Sequence, residues 1–218
     1  MRPIFGPAAN LVAKLVLLAL GGSLVVAFFI GWIGPSTEWA TRVGYPVEQP
    51  VPFSHKHHVG GLGLDCRFCH TTVETSATAG MPPTHTCMTC HSQLWTNARM
   101  LAPVRQSLAD DKPIQWVRVN RLPDYVYFNH SIHVAKGIGC ETCHGRVDQM
   151  PLMEKAQSLR MGWCVDCHRD PRPNLRPQSV EFDMGWKRTA DAPSGDALFK
   201  QEHIHTAQEL TDCSVCHR

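Results

Sequence analysis

The chain has 218 residues, 43% of them hydrophobic, with 21 Lys and Arg against 19 Asp and Glu for a net charge of +2. So even a balance supplies no basic surface for nucleic acid, and the length suits one soluble domain. The unusual content is thirteen His and ten Cys.

Residues 1–14 form a short N-terminal segment with two cations, Arg2 and Lys14, ahead of the uncharged run LVLLALGGSLVVAFFIGWI at 15–33. Nineteen such residues nearly span a hydrocarbon core as a helix, and Lys14 can snorkel from the inner end. The cations place that end in the cytoplasm, while Trp32 and Trp39 suit the opposite interface. A cleaved signal peptide is the competing reading; the run exceeds a usual signal core, and no A-x-A-like site follows it. The expectation is a single-pass anchor in the cytoplasmic membrane with 34–218 on the periplasmic side.

Beyond the anchor come FSHKHH (53–58), CRFCH (66–70) and CMTCH (87–91). A helix is expected around 91–109, and a short strand or extended connector over 110–127. FNHSIH (128–133) and CETCH (140–144) follow. A second helix is expected over 152–161, ahead of CVDCH (164–168), the proline-rich DPRPNLRPQ (170–178) and CSVCH (213–217). Short helices are expected at each Cys pair.

Five C-x-x-C-H motifs use all ten cysteines. Paired CxxC units can make tetrahedral zinc sites, but five is odd and the His after every second Cys would go unexplained. A thioredoxin-like CxxC occurs once, and a disulfide framework imposes no two-residue spacing. C-x-x-C-H is the attachment site of c-type haem: two thiols one helical turn apart add to the two porphyrin vinyls, and the next His binds the iron. Cys66/Cys69, Cys87/Cys90, Cys140/Cys143, Cys164/Cys167 and Cys213/Cys216 are therefore expected to hold five haem c groups, with His70, His91, His144, His168 and His217 as proximal ligands. Attachment outside the cytoplasm agrees with the anchor's orientation.

Eight His remain for the sixth coordination positions. Two units share Phe-x-His-x-x-His, whose imidazoles at i and i+3 lie on one helix face, and each unit continues into two motifs. A half-unit with one motif ends the chain. The expected distal ligands are His55, His58, His130, His133 and His203. His205 is an alternative to His203, because the third unit lacks the Phe two residues before its His. His57 is read as solvated or propionate-binding, and His85 as too close to Cys87 for its own haem but able to serve a neighbouring one. Met150, Met153 and Met161 are alternatives at the fourth site, where a His/Met pair would raise the potential. Arg67, Arg146, Arg169 and Arg172 flank the motifs as candidate propionate partners, or are ordinary surface charges.

The expected fold is mostly irregular with short α-helices, a multihaem cytochrome c domain of the c3/c7 class whose core is largely porphyrin, plus one N-terminal transmembrane helix. No triad, phosphate loop or nucleotide fingerprint is present, which points to a relay rather than a catalyst. The anchor together with PFSHKHHVGGLGLDCRFCH, AGMPPTHTCMTCH, YFNHSIHVAKGIGCETCHG and SLRMGWCVDCHRDPRP resembles the pentahaem cytochrome c subunit of alternative complex III. That resemblance implies bis-His ligation of most haems and a place in a membrane quinol oxidoreductase. Its implied partners are integral-membrane quinol-oxidising subunits, an iron–sulfur subunit and a monohaem cytochrome c. Its acceptor would be a soluble cytochrome, a copper protein or a terminal oxidase. A self-sufficient quinol dehydrogenase of the small NapC/NrfH kind is the alternative, and an anchored electron reservoir without partners the third reading.

Overall fold

The structure, a computed structural model, describes residues 6 and 8–217, which fall into two units, Met1–Val43 and Gly44–Arg218. Arg2, one of the two cations used to orient the anchor, lies outside the described residues.

The first unit is dominated by α1, Ala9–Ile33. It begins six residues before the uncharged run, because Ala9 to Lys14 contains no helix breaker. Twenty-five residues make a helix about 37 Å long, more than the roughly 30 Å of a bilayer interior. None of its residues is buried, its only charge is Lys14, and Ser23 returns its hydroxyl to the Leu20 carbonyl at 2.8 Å. That bond satisfies a polar group lipid cannot serve. A turn at Gly34–Ser36 and α2, Glu38–Thr41, follow, with the Thr37 hydroxyl accepting from the Ala40 N–H at 3.4 Å.

In the second unit no strand forms among the described residues; extended segments meet only at isolated bridges, Pro46 to Glu154, Val126 to His217 and Ile138 to Leu175. Helices are short, and all but α5, α9 and α10 sit at the motifs: α3 Cys66–Cys69, α4 Thr84–His91, α5 Ala102–Ala109, α6 His130–Ala135, α7 Cys140–His144, α8 Met161–Arg169, α9 Gly195–Gln201, α10 Ala207–Leu210 and α11 Cys213–Cys216. Asp precedes the first and fifth motifs and caps both helices, accepting from the Arg67 N–H at 2.8 Å and the Ser214 N–H at 2.9 Å. The His55/His58 segment closes as a π-helical turn over Lys56–Gly61. Gly60 is required there, since a Cβ would collide with the Asp148 carbonyl.

Two expected helices differ. The one placed over 91–109 is helical only from Arg99, with turns before it, because Trp95 takes a left-handed backbone (φ 56°). The one placed over 152–161 is extended instead. The carbonyls of Met153 and Lys155 accept from Val47 (3.1 Å) and Gly44 (2.8 Å), so pairing with a distant segment overrides local propensity. Over 110–127 the connector is extended without becoming a strand. Gln49 clamps it at Val117 with two hydrogen bonds, 2.9 and 2.8 Å.

Large side chains make a small core. Val51, Leu101 and Val104 cluster with Cys87, Met88, Ala98, Ile114 and Trp116, and the largest fully enclosed side chains among the described residues are Leu175 and Leu198. Motif cysteines and histidines lie mostly at intermediate depth rather than inside this cluster.

Candidate haem-binding site

The Phe-x-His-x-x-His units fold alike. Phe53 meets His55 edge-on at 4.9 Å and stacks on His58 at 4.3 Å; Phe128 does the same with His130 at 4.8 Å and His133 at 4.5 Å. The ring therefore braces both imidazoles of its unit. In each unit the second His also turns its Nδ1 to the carbonyl four residues back, His58 to Ser54 at 2.9 Å and His133 to Asn129 at 2.7 Å.

These braced rings face motif histidines. His58 lies 6.2 Å from His91, His130 lies 6.3 Å from His144 and His133 lies 6.1 Å from His168, centre to centre. Two imidazoles on opposite sides of one metal, with bonds of about 2.0 Å and about 1.1 Å more to each ring centre, stand about 6.2 Å apart. The separations fit an axial pair. His55 lies beside His70: burial first, and then the His70 ring, push its pKa down to about 4. His144 is also pushed down to about 4, by burial and then His130, and burial lowers His133. Neutral imidazole is the form that ligates a metal.

Nδ1 contacts decide which nitrogen is free. His70 reaches the Gly80 carbonyl (2.7 Å), His91 that of Leu94 (3.2 Å), His130 that of Ala77 (2.9 Å), His168 that of Leu210 (2.9 Å) and His217 that of Tyr125 (3.2 Å). With His58 and His133, seven imidazoles donate Nδ1–H to backbone and present a bare Nε2, the arrangement of a metal-bound His whose outer nitrogen is anchored. His144 meets the Asn120 side chain instead (3.0 Å), and the buried His55 Nδ1 has no partner. The donor set fits haem iron.

The other expected residues fall apart from this pattern. Neither His203 nor His205 makes ring contact with His217, whose neighbour is the Tyr125 ring at 5.9 Å. His203 is exposed with a left-handed backbone (φ 48°), and His205 sits 3.7 Å from the Glu209 carboxylate. His57 stacks on Trp95 at 5.8 Å, and His85 is exposed on α4. Met150 is buried against Gly145, Met153 serves through its backbone, and Met161 is 70% exposed. The place facing His168 is taken by His133. Each flanking arginine has a carboxylate: Arg67 on Asp65, Arg146 on Asp148, Arg169 on Asp166, and Arg172 on Asp170 and Asp196. A buried arginine absent from the sequence reading, Arg176, pairs with Glu141 at 2.8 Å behind the third motif. Lying 35 residues from its partner, it had no local signal.

Neighbouring motifs also touch. The Cys66 and Cys140 thiols act on one another, holding Cys66 below and Cys140 above the ordinary thiol range, and Cys87 adds to burial in raising the Cys69 thiol. Burial pushes the Cys143 thiol to about 12, with Cys167 and Cys164 contributing, and Cys216 adds to burial in raising Cys164. No three His, Cys, Asp or Glu side chains converge as a zinc site would need, among the described residues.

This combination of short helices, repeated Cys-x-x-Cys-His and facing imidazoles defines a multihaem c-type cytochrome. Residues 126–218 match the family "Cytochrome c7 and related cytochrome c". The whole chain is similar to the multihaem cytochrome c subunit of a menaquinone reductase from Nitratidesulfovibrio vulgaris, 35% identical over 201 residues, covering 89% of this chain and 87% of that protein. A cytochrome c-type protein NrfB of Escherichia coli O6:H1 is 31% identical over 108 residues, 44% of this chain and 56% of that protein. The chain belongs to this multihaem cytochrome c family, with covalently attached haem c and a c7-like domain behind an N-terminal apolar helix.

Proposed function

We propose that the chain is the electron-relay subunit of a membrane quinone-linked oxidoreductase, held by α1 in the cytoplasmic membrane with its haem domain in the periplasm. The observation that carries this is the set of facing imidazoles: an iron clasped on both sides has no position left for substrate, so it conducts rather than catalyses. Five haems sit on the ten cysteines. His70, His91, His144, His168 and His217 are proximal; His55, His58, His130 and His133 are distal to the first four, and His203, by its place in the repeat, to the fifth. The chain's own contribution is to fix ring orientation through Nδ1, to favour neutral His55, His133 and His144 by burial, and to brace the paired imidazoles with Phe53 and Phe128. The cofactor supplies the one-electron chemistry.

The attachment sites follow one another in the order second, first, third, fourth, fifth. His55 and His58 on one turn couple the first site to the second. The Cys66–Cys140 contact and the Ala77 carbonyl under His130 couple first to third. His130 and His133 on α6 couple third to fourth, and Leu210 under His168 couples fourth to fifth.

The resemblance to alternative complex III supports quinol oxidation by integral-membrane subunits, with an iron–sulfur subunit and a monohaem cytochrome alongside and a periplasmic acceptor. Similarity to a menaquinone reductase subunit favours a second direction, electrons entering from the periplasm and ending on quinone. Purification from native membranes tests the role and the direction together. Co-purifying large membrane subunits, and haem reduction by quinol only in their presence, are expected. Oxidation of pre-reduced haems by quinone, without reduction by quinol, would select the second direction. Recovery as a lone protein that oxidises quinol would replace the relay reading by a self-sufficient dehydrogenase.

A further inference from the structure

Of the eight imidazoles whose Nδ1 is within hydrogen-bond distance of a partner, seven rest on main-chain carbonyls. His144 is the exception: its partner is the Asn120 carboxamide, with Nδ2 3.0 Å from Nδ1, while the Asn120 Oδ1 is buried and unpaired. For His144 to offer Nε2 to iron, Nδ1 must carry the proton and needs an acceptor. An N–H facing it is the wrong group. Turning the carboxamide about its terminal torsion exchanges nitrogen and oxygen in nearly the same space. Oδ1 then accepts from Nδ1–H, and the amide N–H2 moves to the place the oxygen held.

We infer that Asn120 is a positioning residue for His144, accepting its Nδ1–H through Oδ1 and setting the basicity of that one ligand by side-chain identity. This rests on the reading of His144 as an iron ligand. Main-chain carbonyls are supplied by any residue, so the other anchored imidazoles are indifferent to the identity of their partner. His144 is not. An acceptor on Nδ1–H makes the imidazole a stronger donor and favours ferric iron; losing it does the reverse. The connector is built to hold Asn120 in place, being clamped at Val117 by Gln49 and at Tyr127 by an N–H bond to the Cys216 carbonyl (2.8 Å). The chosen ligand is central as well: the third attachment site lies between the first and the fourth, so its potential affects transfer in either direction.

The test is a potentiometric titration of the full-length, haem-loaded chain in its membrane complex, with Asn120→Asp and Asn120→Leu. The near-isosteric Asp variant strengthens the acceptor and should lower the potential of one haem, by on the order of a tenfold change in its ferric-to-ferrous ratio at fixed potential, about 59 mV for a one-electron couple. A distant charge would do no more than that. Strengthened donation also contracts the g-anisotropy of the same haem in electron paramagnetic resonance. The Leu variant should move the same haem upward, with the other haems unchanged. Five low-spin haems with unmoved potentials and an unchanged spectrum in Asn120→Asp would overturn the inference while leaving the relay reading intact. Fewer than five haems in the unsubstituted chain would instead count against the relay reading itself.

Discussion

Ring planes within the proposed axial pairs differ, and an iron held between them would read that difference. His130 and His144 are 7° from parallel, whereas His58 and His91 are at 67°. Parallel imidazoles lift the degeneracy of the iron orbitals they overlap and give a rhombic low-spin signal; near-perpendicular ones leave it and give a strongly anisotropic signal. Low-temperature electron paramagnetic resonance should resolve both types, with the rhombic component disappearing in His130→Ala. A spectrum of one type alone would show that the pairs are wrongly matched. Glu181 gives a second prediction at this scale. Its side chain is buried, Oε2 has no partner, and burial, then Glu74, raise its pKa from 4.5 to about 7 against the pull of Arg67. A raised carboxyl pKa means that the folded state keeps a proton the unfolded chain releases. Stability is full below pH 4.5 and declines as pH rises to about 7. Glu181→Gln should remove that decline, measured as the thermal midpoint across the window; an unchanged slope would place the titration elsewhere.

Elements here are set by caps, ring packing and non-local backbone pairing more than by propensity. The helices at the Cys pairs, the Phe-x-His-x-x-His units and the apolar anchor are legible because each is a local pattern: a spacing, a cap such as Asp65 or Asp212, an uncharged run. What was not legible is non-local. The segment 152–161 reads as a helix until Val47 and Gly44 claim its carbonyls, and His144 shows no sign in the sequence of its partner 24 residues upstream. The arginines nearest the motifs read as propionate partners or ordinary surface charges, and the sequence does not show that they pair with Asp65, Asp148, Asp166 and Asp170. Proximity in sequence is a poor guide where a chain has few long helices to keep neighbours together. Gly60 marks how tight the π-helical turn is. Gly60→Ala should cost about 1–3 kcal/mol, as overpacking against backbone does, read as a lowered thermal midpoint. A neutral result would mean that the turn and the Val147–Gln149 segment separate freely.

For the whole molecule, attachment order makes a claim about connectivity that single sites cannot. If the sites run second, first, third, fourth, fifth, removing the third with Cys140→Ala and Cys143→Ala divides the series. Removing the second with Cys87→Ala and Cys90→Ala only shortens one end. Spin–spin broadening between neighbouring haems should therefore survive among the first, third, fourth and fifth in the Cys87/Cys90 variant. In the Cys140/Cys143 variant it should survive only within two separate pairs, second with first and fourth with fifth. Coupling between the first and fourth in that variant would mean that the series is branched. A small side-chain core around Val51, Leu101 and Val104 fits a domain whose apolar interior is completed by covalent cofactor, and this is the assumption under everything else.

The intact mass of the chain isolated from native membranes tests that assumption most directly. Five haem additions on one polypeptide, surviving denaturation because thioethers hold them, are expected. A mass equal to that of the amino acids alone would contradict the account.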